Sequence, residues 1–81
     1  MKMPRDVSGY HLAKLLEKYG YSVTRQTGSH IRLTTLRNEE HHITIPVHHE
    51  LRVGTLNAIL TDIAVHLKLD RDQLTKELFE K

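Results

Sequence analysis

The first quarter of the chain has the hydrophobic spacing of an amphipathic helix. In SGYHLAKLLEKYG, apolar side chains recur at the i, i+3, i+4, i+7 spacing of one helical face: Leu12, Leu15, Leu16 and Tyr19. Ser8 is a suitable N-cap for this helix, and Gly20 can adopt the left-handed conformation that ends one. The pattern therefore predicts a first helix that stops at Gly20.

Three shorter segments, YSVTRQT, HIRLTTL and HHITIPV, alternate between apolar and polar residues as half-buried strands do. Their apolar positions predict one inward face, formed by Tyr21, Val23, Ile31, Leu33, Ile43 and Ile45. Their polar positions predict an outward face, formed by Thr24, Gln26, His30, Arg32, Thr34, His42 and Thr44. Pro46 has no backbone N–H to donate and so marks a sheet edge or the end of the third strand. We expect the three strands to form a meander.

The remaining chain predicts two further helices. In VGTLNAILTDIAVHL, one apolar stripe contains Leu56, Ile59, Leu60, Ile63 and Leu67. Asp70 and Gln73 stand at the N-cap and N3 positions of a capping box in DRDQLTKELFEK, where Leu74 and Leu78 continue the stripe. This order of elements predicts an α+β two-layer sandwich with a three-stranded antiparallel sheet and its helices on one face. The outline is similar to a double-stranded-RNA-binding domain with an extra C-terminal helix.

Length and composition limit the chemistry that the chain can support. With 81 residues we expect a single domain, over residues 1–81, too small for a deep site around a large cofactor. The absence of cysteine excludes disulfides, thiolate nucleophiles and thiolate metal sites. No apolar run is long enough to span a bilayer, and the first residues lack the apolar stretch of a signal peptide. We therefore expect a soluble, cytoplasmic protein without a cofactor.

Positive charge is concentrated around the predicted sheet. The chain has 12 Lys and Arg against 10 Asp and Glu, a net charge of +2. From residue 18 to residue 38 there is no acidic residue, and the basic ones are Lys18, Arg25, Arg32 and Arg37. Such a local basic field suits contact with a phosphate backbone, although a solvated strand face that happens to carry arginine would look the same.

The seven histidines raise metal binding and nucleophilic hydrolysis as alternatives. On a straight strand His42 and His48 would lie about 20 Å apart, too far to share one ion without a sharp turn at Pro46. Ser29 and His30 are neighbours whose side chains should leave a strand in opposite directions, so we expect no hydrogen bond between them. His30 remains the better candidate, because imidazole titrates near neutral pH and can exchange protons with RNA oxygens.

Three segments of the chain, LAKLLEKYGYSVTRQTGSHIRL, ITIPVHHEL and GTLNAIL, together resemble the HicA, or YcfA-like, family of mRNA interferase toxins. The resemblance implies a double-stranded-RNA-binding-like fold, translation-independent cleavage of mRNA and inhibition by a HicB antitoxin. It also implies that His30 is the catalytic histidine and matches His48 to the histidine that follows the family's proline. The segment TDIAVHLKLDRDQL departs from the family pattern, so a different partner surface is expected there.

These observations lead to two functional hypotheses. In the first, the chain is a metal-independent ribonuclease toxin with His30 as general acid or base and His48 or His42 as a second proton-transfer group. Its RNA-binding residues would be Arg25, Gly28, Ser29 and Arg32. In the second, the same basic sheet serves a non-catalytic RNA-binding or protein-interaction module. The outward strand positions hold no aromatic residue for base stacking, which favours the ribonuclease.

Overall fold

A computed structural model describes residues 6–79 as helices packed on one side of a three-stranded sheet. The elements in chain order are α1 (Gly9–Leu15), a short 3-10 helix (Leu16–Tyr19), β1 (Ser22–Gln26), β2 (His30–Thr35), β3 (His41–Pro46), α2 (Val53–Leu67) and α3 (Arg71–Phe79). The strand order is β1-β2-β3, and both pairings are antiparallel. The predicted α+β fold is therefore confirmed, and none of these described helices is long and apolar enough to cross a membrane.

Both ends of the first helical segment match the sequence prediction. The Ser8 side-chain oxygen accepts a hydrogen bond of 3.0 Å from the backbone N–H of His11, as an N-cap residue should. Gly20 ends the segment with a φ of 84°, in the left-handed region. The last turn tightens to a 3-10 helix after Leu15, which is a common way to end an α-helix.

The hydrophobic core lies between the sheet and the helices. Its buried apolar residues come from every layer and include Leu12, Leu16, Ile31, Leu33, Ile43, Ile45, Leu56, Leu60, Ile63, Leu74 and Leu78. Val23 was expected to point inward, and it does pair with Leu33 on the helix side, but it is 52% exposed. The helices pack mainly against β3, and all five residues of the edge strand β1 are exposed. Pro46 ends β3, as predicted.

Helix α3 begins with half of the predicted capping box. The Asp70 carboxylate accepts a hydrogen bond of 3.1 Å from the backbone N–H of Gln73. The Gln73 side chain does not reach back to Asp70 but donates to the Glu77 carboxylate, one turn further along, at 3.1 Å. An i,i+4 amide–carboxylate pair thus replaces the second capping bond.

Helix α1 starts in direct contact with the end of β3. The backbone N–H of Gly9 donates to the carbonyl of His48 at 3.0 Å. A Cβ atom at Gly9 would overlap the carbonyl oxygen of Pro46 and lie 3.3 Å from Cγ2 of Ile45. Only glycine fits this approach without displacing the backbone.

We therefore expect Gly9→Ala to lower the free energy of unfolding by about 1–3 kcal/mol, since the added methyl group must push α1 away from β3. Gly54→Ala is a matched control, because Gly54 lies in α2 and an added Cβ there would meet no heavy atom within 4 Å. That control should be neutral or stabilising by up to about 1 kcal/mol. Urea denaturation followed by circular dichroism measures both, and equal stability of the two variants would contradict the proposed overlap.

Candidate active site

The face of the sheet opposite the helices, called the open face below, is shaped by a β-bulge in β1. Cα pairing runs from Val23 with Leu33 directly to Arg25 with Arg32, so Thr24 is the extra residue in its strand. A bulge shifts the alternation of side chains by one position from that point onward. The two arginines therefore stand opposite each other on adjacent strands of the open face.

The same bulge overturns one expectation of simple alternation. Gln26 was predicted to lie on the polar face, but its Cα partner is Ile31, which is buried on the helix side. The Gln26 amide accordingly contacts the hydroxyl of Tyr10 on α1. A strict two-residue period cannot include an inserted residue, and the prediction for Gln26 was wrong for that reason.

The open face carries three rows of side chains that run across the strands. The first row contains His30 and Pro46, the second contains Arg25, Arg32 and Thr44, and the third contains Ser22, Thr34 and His42. The bulge residue Thr24 has no Cα partner but joins the third row through its side chain, whose hydroxyl lies beside that of Thr34. Neighbouring rows are two residues apart along β2, or about 6.6 Å at about 3.3 Å per residue. The imidazole in the first row is thus one row from the pair of guanidinium groups.

His30 is exposed at the start of β2, and its ring is held by the preceding turn. The Ser29 hydroxyl lies 2.9 Å from His30 Nδ1. The expectation that these two side chains could not bond was wrong, because Ser29 lies in the turn before β2, where strand alternation does not apply. Thr27 braces the turn, with its backbone N–H donating to the His30 carbonyl at 2.9 Å. With Nδ1 engaged, Nε2 is the ring nitrogen that remains for a ligand.

Gly28 is surrounded by open space. An added Cβ would meet no heavy atom within 4 Å, so the packing of the chain itself does not require glycine there. The space beside the His30 turn is therefore open to a ligand.

The other two candidate histidines lie on opposite sides of the row that contains His30. His42 pairs with Thr34, four residues along β2 from His30, which corresponds to about 13 Å. His48 follows two residues after Pro46, which is the Cα partner of His30. Among residues 6–79, no group of three or more His, Asp or Glu side chains could hold a metal ion.

One comparison with known proteins identifies the family. The family model described as the HicA toxin of bacterial toxin–antitoxin systems matches residues 9–65. The chain belongs to the HicA toxin family. The match covers the whole open face of this HicA-family chain and ends before α3. Searches of curated proteins and of solved structures found no match.

A chain of hydrogen bonds, called the polar chain below, crosses the third row of this HicA domain. It consists of Glu40, His42, Thr34 and Thr24. The Glu40 carboxylate lies 2.8 Å from His42 Nε2, and His42 Nδ1 lies 2.7 Å from the Thr34 hydroxyl. The Thr34 hydroxyl is 2.9 Å from that of Thr24. The sequence indicated these outward positions, apart from Glu40, but no local pattern could indicate that they bond to one another across three strands.

A second histidine cluster, which the sequence did not single out, lies on the helix side of the sheet. The Tyr21 hydroxyl is 2.8 Å from His41 Nδ1, and His41 Nε2 is 3.2 Å from the Asp62 carboxylate. The His41 ring also stacks on that of His66, with 4.2 Å between centroids. His41 lies two residues before Ile43 on the same face of β3, so strand alternation could have indicated that His41 points to the helix side. This cluster joins the sheet to α2 and does not face the open side.

Because of the buried Tyr21 in this cluster, we expect the free energy of unfolding to depend on pH in the alkaline range. Burial, with a smaller contribution from Asp62, raises the pKa of Tyr21 to about 12. A raised folded-state pKa means that the stabilisation is complete below the unfolded value of about 10 and is lost as pH rises through the folded value. We expect the free energy of unfolding to fall by about 1–3 kcal/mol more in the wild type than in Tyr21→Phe between pH 9 and pH 12.

Urea denaturation at several pH values measures this difference. Tyr19, whose pKa burial and Glu77 also raise to about 12, remains in both proteins and contributes equally to them. Parallel pH profiles for the wild type and Tyr21→Phe would show that the Tyr21 hydroxyl ionises as it does in the unfolded chain.

Proposed function

We propose that this chain is the toxin of a HicA–HicB-type system, a metal-independent endoribonuclease that cleaves mRNA in the cytoplasm. The observation that carries the proposal is the exposed His30, bonded through Nδ1 to Ser29, one row from the paired side chains of Arg25 and Arg32. Membership of the HicA family supports the toxin role.

The geometry favours proton transfer at a single phosphate. His30 Nε2 takes the proton of a ribose 2'-hydroxyl, whose oxygen then attacks the adjacent phosphorus. The bond from phosphorus to the 5'-oxygen breaks, and that oxygen is protonated as it leaves. The products are a 2',3'-cyclic phosphate and a 5'-hydroxyl. Arg25 and Arg32 stabilise the negative charge on the phosphoryl oxygens by charge-assisted hydrogen bonds.

The second proton-transfer group in this proposal is His48 rather than His42. Two groups that act on the same phosphate must both lie within hydrogen-bond reach of its oxygens. The register puts His42 about 13 Å from His30, beyond that reach. His48 is only two residues along the chain from Pro46, the Cα partner of His30. Gly28 contributes the open space through which the RNA backbone approaches the His30 turn.

We expect His30→Ala to lower RNA cleavage by about 10²–10⁴-fold and to relieve growth arrest when the protein is induced in a bacterium. The side chain is exposed at a strand end, so its removal should leave thermal unfolding nearly unchanged. Cleavage by the wild type should survive EDTA, because no step of the proposed reaction uses a metal ion.

Equal toxicity of wild type and His30→Ala would remove the catalytic role from His30. Loss of cleavage on chelation, with recovery on addition of zinc or magnesium, would contradict metal independence. A wild type that binds RNA but never cleaves it would favour the non-catalytic RNA-binding module.

The partner that we propose is a HicB-like antitoxin that covers the open face. A standard interface buries about 800 Å² per partner, a substantial share of the 5386 Å² that this chain exposes. Blocking the RNA site without covering it would therefore be geometrically difficult. Carboxylates of the antitoxin would bind Arg25 and Arg32 and so replace the RNA phosphate.

We expect Arg32→Glu to weaken both RNA and antitoxin binding by about tenfold or more, because it reverses a charge shared by the two sites. Lys76→Glu is the matched control, since Lys76 is an exposed cation on α3, in the helix layer. Titration of labelled RNA and of antitoxin with each variant measures these affinities. If Lys76→Glu abolishes antitoxin binding and Arg32→Glu does not, inhibition acts through α3 and not by occlusion.

A further inference from the structure

The direction of the protons in the polar chain follows from its carboxylate end. At neutral pH the Glu40 carboxylate can only accept, so His42 Nε2 must carry the proton of their 2.8 Å bond. In a neutral ring Nδ1 then accepts, and the Thr34 hydroxyl donates to it across 2.7 Å. Since Thr34 has a single proton, the Thr24 hydroxyl is the donor in the bond between the two threonines.

Each donor of the polar chain is therefore turned toward the protein. The Thr24 hydroxyl lies near two protein acceptors, the Thr34 oxygen at 2.9 Å and the Arg32 carbonyl at 3.4 Å. The groups that remain for a ligand are free lone pairs on Thr24 and Thr34 and the second carboxylate oxygen of Glu40. Glu40 is 62% exposed, so its carboxylate is accessible from the open face.

The third row consequently prefers a different kind of ligand from the second row. Guanidinium groups of the second row attract phosphate, whereas a surface with acceptors and a negative charge repels it. Such a surface suits a neutral group that donates hydrogen bonds. The exocyclic amines of RNA bases are neutral donors of this kind, and carboxylate pairing with cytosine N4 is an established mode of base recognition.

The spacing of the rows is compatible with one bound RNA strand. The third row lies about 6.6 Å from the arginine pair and about 13 Å from His30 along β2. A nucleotide over the third row is therefore a neighbour of the one being cleaved. Its base can contact the polar chain while its phosphate stays near the arginines.

We propose that the polar chain of Glu40, His42, Thr34 and Thr24 is a base-binding subsite that accepts a hydrogen bond from the exocyclic amine of cytosine. The proposal rests on RNA binding at the open face, as proposed above. It makes the polar chain a determinant of sequence preference, separate from the proton transfer at His30.

The test compares two RNA homopolymers that differ in this group. Cytosine presents the N4 amine where uracil, of nearly the same size, presents the O4 oxygen. Fluorescence anisotropy at pH 7.5 would measure binding of labelled octamers of C and of U to the full chain carrying His30→Ala, which prevents cleavage. We expect the C octamer to bind about tenfold more tightly, the contribution of one hydrogen bond to a charged group.

Two further substitutions, added to His30→Ala, separate the subsite from general RNA affinity. Glu40→Gln removes the negative charge and replaces the charged acceptor by an amide that can donate to His42, in which case His42 Nδ1 donates to Thr34 and Thr34 donates to Thr24. The preference for C should then fall to within about twofold. Thr24→Val should also weaken it while keeping an exposed position of similar size. Thr61→Val makes the same chemical change on α2, where the hydroxyl donates to the Asn57 carbonyl of its own helix, and should leave the preference unchanged.

Equal binding of the two octamers, or a preference for U, would overturn the subsite while leaving the proposed ribonuclease intact. A tenfold preference that survives both Glu40→Gln and Thr24→Val would also overturn it, since other residues would then read the base. Absence of binding to either octamer would overturn the subsite, and, if the wild type also failed to cleave mRNA, the proposed function with it.

Discussion

The unpaired residue Thr24 determines which side chains of β1 reach the open face. Without this bulge Arg25 would follow the parity of Val23 and lie on the helix side, away from Arg32. With it, Arg25 stands directly opposite Arg32. Like charges at facing strand positions are destabilising, by roughly 0.2–1 kcal/mol. In the proposed function, a phosphate bound between the two arginines would relieve that repulsion.

The turn between β2 and β3 is held in its conformation by α2. Asn38 and Glu39 both have positive φ, 55° and 79°, and the second of these is unusual for glutamate. His66 on α2 holds the turn, with Nε2 at 3.0 Å from the Arg37 carbonyl and 3.1 Å from the Glu39 carbonyl. Because Glu40 follows this turn directly, a helix on one side of the sheet orients the polar chain on the other side.

Periodicity alone was sufficient for the architecture and insufficient for the site. The helix caps at Ser8 and Asp70 and the inward strand residues follow from local spacing, which is why they could be predicted. The bulge at Thr24 depends on which residues of a neighbouring strand are its partners, and no single-strand pattern contains that information. The bond from Ser29 to His30 depends on where a turn gives way to a strand, the least certain boundary in any sequence.

Helix α3 belongs to the helix layer, and its contacts lie on the side of the sheet away from the open face. It lies outside the family match, yet it buries Leu74 and Leu78 and places Glu77 against the hydroxyl of Tyr19. That hydrogen bond lowers the pKa of the exposed Glu77 carboxyl. The contact between Glu77 and Tyr19 joins α3 to the 3-10 helix, and the two leucines belong to the core between the helices and the sheet. A substitution in α3 therefore disturbs core packing first. It affects the open face only if the disturbed core also moves the strands of the sheet.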